Sequence, residues 1–152
     1  MKRTSILIAT FALGATAVYA AETPPSEVVF GEYGAVAESL SGAPGDAASG
    51  AKVFANRKQG NCLACHQNGD MPDALFQGEI GPSLDDVGNR WEEAELRGIV
   101  ANAKKVFEGT IMPGFYRGEG YVRPLEKFAG KPVLTAQQVE DVVAYLMTLK
   151  EQ

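Results

Sequence analysis

The sequence predicts an all-α fold, a small helical domain whose connections are long for its size. Three observations lead there. Residues 90–105 and 135–149 repeat apolar side chains at spacings of three and four, the period of one helix face. Helix-start signals stand where such segments begin: Asp46 before an apolar helical stretch, and Thr135 with Gln138 as a capping box. Between the helical segments the chain is crowded with glycine and proline, which interrupt regular structure.

The elements follow in chain order. Residues 1–20 are expected to be a leader rather than part of the fold. Lys2 and Arg3 begin it, Ile6 to Val18 is apolar, and Val18-Tyr19-Ala20 offers small residues where a signal peptidase reads. The apolar run is short for a bilayer span, so cleavage after Ala20 and export to the periplasm are expected, with an uncleaved anchor as the alternative. No other stretch is apolar for long enough to cross a membrane. Residues 21–46, with Pro24, Pro25 and Pro44, read as an extended N-terminal arm lying on the domain. Its short apolar pieces are Val28-Val29-Phe30 and Tyr33. The arm could cover the domain's own surface or be buried against a partner. The main domain is expected over 47–152.

Asp46 caps a predicted helix over 47–58, with Val53 and Phe54 facing inward and Gly60 ending it. Gly50 lies one turn before Phe54, so a second helix could cross closely there. Residues 67–89 read as loop. A helix over 90–105 should bury Leu96, Ile99, Val100 and Ala103, and leave Glu92, Glu93, Arg97 and Lys104 on the other face. Residues 107–132 hold five glycines and three prolines and are again irregular. The last helix should bury Val139, Val142, Val143, Leu146 and Leu149. Loops this long need a reason, and a large group filling the middle would supply one.

Composition narrows the function. The formal net charge is −5, becoming −7 once Lys2 and Arg3 leave with the leader, and no basic run exists. Nucleic-acid binding needs a clustered Lys/Arg surface and is not expected. The chemistry concentrates in "GNCLACHQ", where Cys62 and Cys65 stand three apart and the chain's one histidine, His66, follows. An oxidising compartment would join the thiols as a disulfide if nothing else consumed them. A thioredoxin-like redox pair wants a βαβ setting, and none is visible. A structural zinc site wants four protein ligands, and there is no third cysteine or second histidine. Cys-x-x-Cys-His is the attachment signature of c-type haem. Residues three apart share one face of a helical turn, so both thiols can reach the vinyl groups on one edge of the ring and form thioethers. His66 then gives a ring nitrogen to iron.

With no second histidine, another residue must supply the sixth ligand. Met1 leaves with the leader, Met71 is only five residues past His66, and Met147 lies on the last helix. Met112, in "GTIMPGF", lies in a loop, and Pro113 biases it to an extended backbone. Met112 is therefore the expected axial ligand, with a lysine or an open position as the alternatives. Met/His ligation raises the iron potential and suits electron transfer. The Pro82 carbonyl is a candidate to orient His66, although Gly81-Pro82 can equally be an ordinary turn. Arg90 and Trp91 could hydrogen-bond haem propionates or lie on the surface at the helix start. Phe54, Phe115, Tyr116 and Tyr145 are expected in the core and haem wall.

Cys62-Leu63-Ala64-Cys65-His66, Gly81-Pro82 and Met112-Pro113, in this order, resemble the class I cytochromes c. Together with "SGAPGD", "GPSLDDVGNRW", "TIMPGFY" and "LTAQQVEDVVAYLMTLK", the chain is similar to the SoxX cytochromes of the sulfur-oxidising Sox system. The resemblance implies the class I cytochrome c fold, with an N-terminal helix packed across a C-terminal one around a single covalent haem c. It implies pairing with a SoxA-like cytochrome subunit, dihaem or monohaem, in a heterodimer. That complex would be an L-cysteine S-thiosulfotransferase, coupling thiosulfate oxidatively to a cysteine of a SoxYZ-like carrier. Its catalytic cysteine would belong to the partner, since both cysteines here are taken by haem. This chain would relay electrons to a small soluble cytochrome c. A free-standing shuttle to a terminal oxidase is the main alternative, and a haem-based ligand sensor with an open iron is the third.

Overall fold

The computed structural model describes residues 21–150. The expected leader and its cleavage point after Ala20 lie outside the described residues. Four α-helices, α1 (Ala47–Ala55), α2 (Val87–Arg90), α3 (Glu93–Asn102) and α4 (Ala136–Leu146), are joined by long loops carrying short 3₁₀ turns. Among the described residues there is no strand, and no helix is long and apolar enough to cross a membrane.

Asp46 caps α1 as expected, its carboxylate accepting from the Ser49 amide at 2.7 Å. The helix stops at Ala55, short of the predicted 58, because Asn56 turns extended. Its side chain accepts from Lys58 N at 2.9 Å and donates to Gln59 at 2.8 Å, a local alternative to the helix ladder. Gly60 closes the turn that follows, its amide donating to Val53 O.

The helix expected over 90–105 is broken at its start. Arg90 ends the one-turn α2, Trp91 is extended, and α3 begins only after Glu92, which forms a capping box with Glu95. At its other end α3 tightens into a 3₁₀ turn, Ala103–Lys105. Leu96, Ile99, Val100 and Ala103 are buried as expected. Arg97 is not on the polar face: it is 4% exposed. Its Nε donates to both oxygens of Glu140, at 2.9 and 3.0 Å, and Glu140 is itself 3% exposed. The helical period assigns a face, and a partner 43 residues away overrides it.

The capping box of Thr135 and Gln138 opens α4, which ends at Leu146, short of the predicted 149; its apolar stripe is buried, and so is Leu149 beyond its end. Each such fully buried aliphatic side chain stabilises the fold by roughly 1.5–3 kcal/mol. α4 crosses α1 at Gly50, where an added Cβ would stand 1.9 Å from the Asp141 carbonyl oxygen. One turn on, the Phe54 and Tyr145 rings meet edge to face at 5.4 Å. Only a residue without a side chain lets the two backbones come this close.

The arm is built into the same core. Val36 and Leu40 are buried in it. Val36 N donates to Ala94 O, and Leu40 N donates to Glu140 Oε1, both at 2.8 Å. Arg97 Nη1 reaches the Val36 carbonyl at 2.9 Å, and the Tyr116 hydroxyl donates to Thr23 O at 2.7 Å. The apolar pieces of the arm divide. Val28 and Phe30 pack on the chain's own core, whereas Val29 is 79% and Tyr33 81% exposed.

Candidate functional site

The site grows from the turn that follows α1. Cys62–Ala64 form a single 3₁₀ turn. The amides of Cys65 and His66 both donate to Cys62 O at 3.0 Å. This local winding puts the two sulfurs on one side of the turn and the imidazole directly after them. The thiols are unpaired and half-buried. Burial pushes the Cys62 thiol up to about 12, so the pocket favours an uncharged sulfur, which a thioether also is.

The His66 Nδ1 lies 2.7 Å from the Pro82 carbonyl oxygen. With Nδ1 engaged by a carbonyl, the proton sits there and the other ring nitrogen is left for a metal. Gly81 makes the contact possible: a Cβ there would come within 2.3 Å of the His66 ring. Two free thiols on one turn, a half-buried imidazole with one nitrogen oriented, and the cleared space at Gly81 all fit covalently bound haem.

The segment beyond His66 is tied to α4. Asn68 is fully buried, and its Nδ2 donates to the Tyr145 hydroxyl at 2.8 Å. That hydroxyl in turn donates to Asp70 Oδ2 at 2.8 Å. Burial, and then the Asp70 carboxylate, push the Tyr145 phenol well above its ordinary range. Asn68 N donates to Gln77 Oε1 at 2.6 Å, drawing the next loop inward.

Met112 lies half-buried against the edge of the core, in a loop. Its amide donates to Thr110 Oγ1 at 3.2 Å. The chain just after it is fastened to α3, with Phe115 N on Val100 O and Tyr116 N on Ala101 O. Lys104 Nζ donates to the Thr110 carbonyl before it. Arg90 is engaged within the protein: Nη2 donates to Ser83 O at 2.6 Å, and Nε pairs with Asp86 at 2.8 Å. Trp91 packs edge to face on Phe107 at 5.9 Å. Phe54, Phe115, Tyr116 and Tyr145 are all buried.

Three residues around the site escape sequence reasoning: Asn68, Asp85 and Gln77. Asn68-Gly69-Asp70 carries an ordinary turn signal, and no spacing links it to Tyr145. Asp85 accepts from the Gly69 amide at 2.5 Å and from Ser83 Oγ at 2.8 Å. Those bonds, led by the Gly69 amide, hold its carboxyl below the usual range.

The profile of the cytochrome c family matches residues 47–150. The chain is also similar to a solved structure described as SoxXA from P. pantotrophus. That likeness has 55% sequence identity and a TM-score of 0.81, covering 86% of this chain and 100% of the other. A search of the curated proteins finds no match.

Proposed function

The chain belongs to the cytochrome c family, and from that premise we propose that it is the electron-accepting subunit of a SoxAX-type thiosulfate-oxidising complex in the periplasm. It is a SoxX-like class I cytochrome with one covalently bound haem c. The observation that carries the subunit reading is the 55% identity to SoxXA over the whole of the matched chain.

Each residue has a part. Cys62 and Cys65 would hold the haem through thioethers, and His66, with Nδ1 on the Pro82 carbonyl, and Met112 would be the protein ligands of its iron. The haem supplies reversible one-electron storage, and Met/His ligation raises its potential so that it accepts electrons readily. The coupling reaction joins a carrier thiol to thiosulfate as an S-thiosulfonate, releasing two electrons and one proton. With its only two cysteines taken by haem, this chain has no thiol for that step. The sulfur chemistry falls to a SoxA-like partner, and this subunit passes the electrons to a small soluble cytochrome c. Of the arm, Val29 and Tyr33 are the apolar residues left for the partner to cover.

The test is capture of the tagged mature protein from source cells grown on thiosulfate, with mass spectrometry of what stays bound. A stoichiometric second c-type cytochrome carrying a modified cysteine is expected. A lone monomer that only transiently holds an oxidase returns the chain to the shuttle class. The ligand set has its own test. Met112→Ala should keep the haem attached, lower the reduction potential and open the reduced iron to carbon monoxide. An unchanged potential rejects Met112.

A further inference from the structure

The segment carrying the two cysteines and the segment carrying Pro82 run side by side. Gly78 N donates to Leu63 O at 2.8 Å, Gly81 N to Cys65 O at 2.8 Å, and Leu84 N to Gln67 O at 3.0 Å. The partners advance together along both segments, so the two run parallel. The His66–Pro82 contact lies between the second and third of these rungs. Beyond the 3₁₀ turn Cys62–Ala64 neither segment is helix or strand, so the rungs alone leave the far end free to spread. Asp85 closes it. One carboxylate oxygen takes the Gly69 amide at 2.5 Å, on the His66 side. The other takes Ser83 Oγ at 2.8 Å, on the Pro82 side. Arg90 holds the same residue by its other oxygen, donating to Ser83 O at 2.6 Å, and is itself steadied by Asp86. The residue directly after Pro82 is thus gripped at both its hydroxyl and its carbonyl.

We propose that Asp85, supported by Arg90, is a positioning residue for the iron-binding histidine, fixing where the Pro82 carbonyl stands and so the strength of its hydrogen bond with His66 Nδ1. This rests on the reading of His66 as axial ligand. A strong bond at Nδ1 makes the imidazole a more basic ligand, which favours oxidised iron. Loosening the clamp therefore raises the midpoint potential. It also frees the ring proton to exchange with water. Asp85 is exposed, so its charge is largely screened at the iron. Geometry is then the main route by which it acts.

The test compares Asp85→Ala and Asp85→Asn as holoproteins, reading the midpoint potential and the exchange rate of the His66 Nδ1 proton by NMR of the reduced, diamagnetic form. Asp85→Ala should raise the potential and speed exchange about tenfold, the scale of one lost hydrogen bond. Asp85→Asn keeps an acceptor for Gly69 and an amide donor for Ser83, and should stay near wild type in both. Equal shifts in the two variants would mean that charge acts and position does not. No shift in either also overturns the proposal. Should Asp85→Ala fail to mature, Ser83→Ala takes its place, with a smaller change in the same direction expected and no change overturning. In the wild type, the ring-current shift of the His66 protons reports ligation on its own. Failure of the ligand reading is therefore distinguishable from failure of the clamp.

Discussion

The helical scaffold and the loop pair that carries the haem site are held by opposite means. Where α1 meets α4, backbone touches backbone across Gly50, and Phe54 and Tyr145 interlock behind it. Where α3 meets α4 and the arm, Arg97 and Glu140 form a buried pair that also takes the Val36 carbonyl and the Leu40 amide. By contrast, residues 62–69 and 78–85 are held by spaced backbone bonds and by an exposed carboxylate at the end. Burial resists any change of volume or charge, so the scaffold sets stability. Partly exposed hydrogen bonds contribute little to stability but fix angles and distances, so the loop pair tunes the site.

Glu140→Leu should have the largest effect. It leaves the buried Arg97 guanidinium with only the exposed carboxylate of Glu93 and strips the Leu40 amide of its acceptor, costing about 3 kcal/mol. Denaturant unfolding of the holoprotein reads the loss. The comparison is sharpened by the double variant Arg97→Met/Glu140→Leu, which should recover much of it, because the penalty lies in a buried charge that has lost its buried partner. A double variant no better than the single would mean that the arm's bonds to the pair matter more.

Gly50→Ala comes next. Its Cβ would collide with the Asp141 carbonyl, so the helices must part, at about 1–3 kcal/mol. The midpoint potential should hardly move, and a large potential shift would break the division between the regions.

Tyr145→Phe should have the smallest effect, and it joins the two regions. The ring still packs on Phe54, but Asn68 and Asp70 lose the hydroxyl, which costs on the order of 1 kcal/mol. Its pH signature is separate. The folded state holds the phenol neutral well above its ordinary pKa of 10.0. That contribution is complete below the unfolded value and is lost as pH rises through the folded one. Stability above pH 10 should therefore fall less steeply in Tyr145→Phe than in wild type. Identical slopes would remove Tyr145 from the account.

Several features were legible without coordinates because their physics is local. A cap is a side chain bonding an amide three residues on, so Asp46 and Thr135 could be read directly. The stripe of α4 follows from the helical period. Cys62, Cys65 and His66 are adjacent enough that one turn brings them together. Even the close crossing at Gly50 shows in the sequence, since a missing side chain one turn from an aromatic marks an approach.

Other features depended on residues distant in sequence. The helical period put Arg97 in solvent, and only the arrival of Glu140 made its burial tolerable. Asn56 and Trp91 ended or delayed helices by competition that propensity alone does not decide. The arm's residues parted into core and surface according to which face met α3 and α4. Asp85 became a clamp only because two loops came to lie parallel. The sequence alone thus determined the short-range pieces: the attachment turn, the caps and the apolar stripes. Tertiary structure decided which charges are buried, where the arm lies and how the histidine is aimed, because each of those requires a partner that only folding brings near.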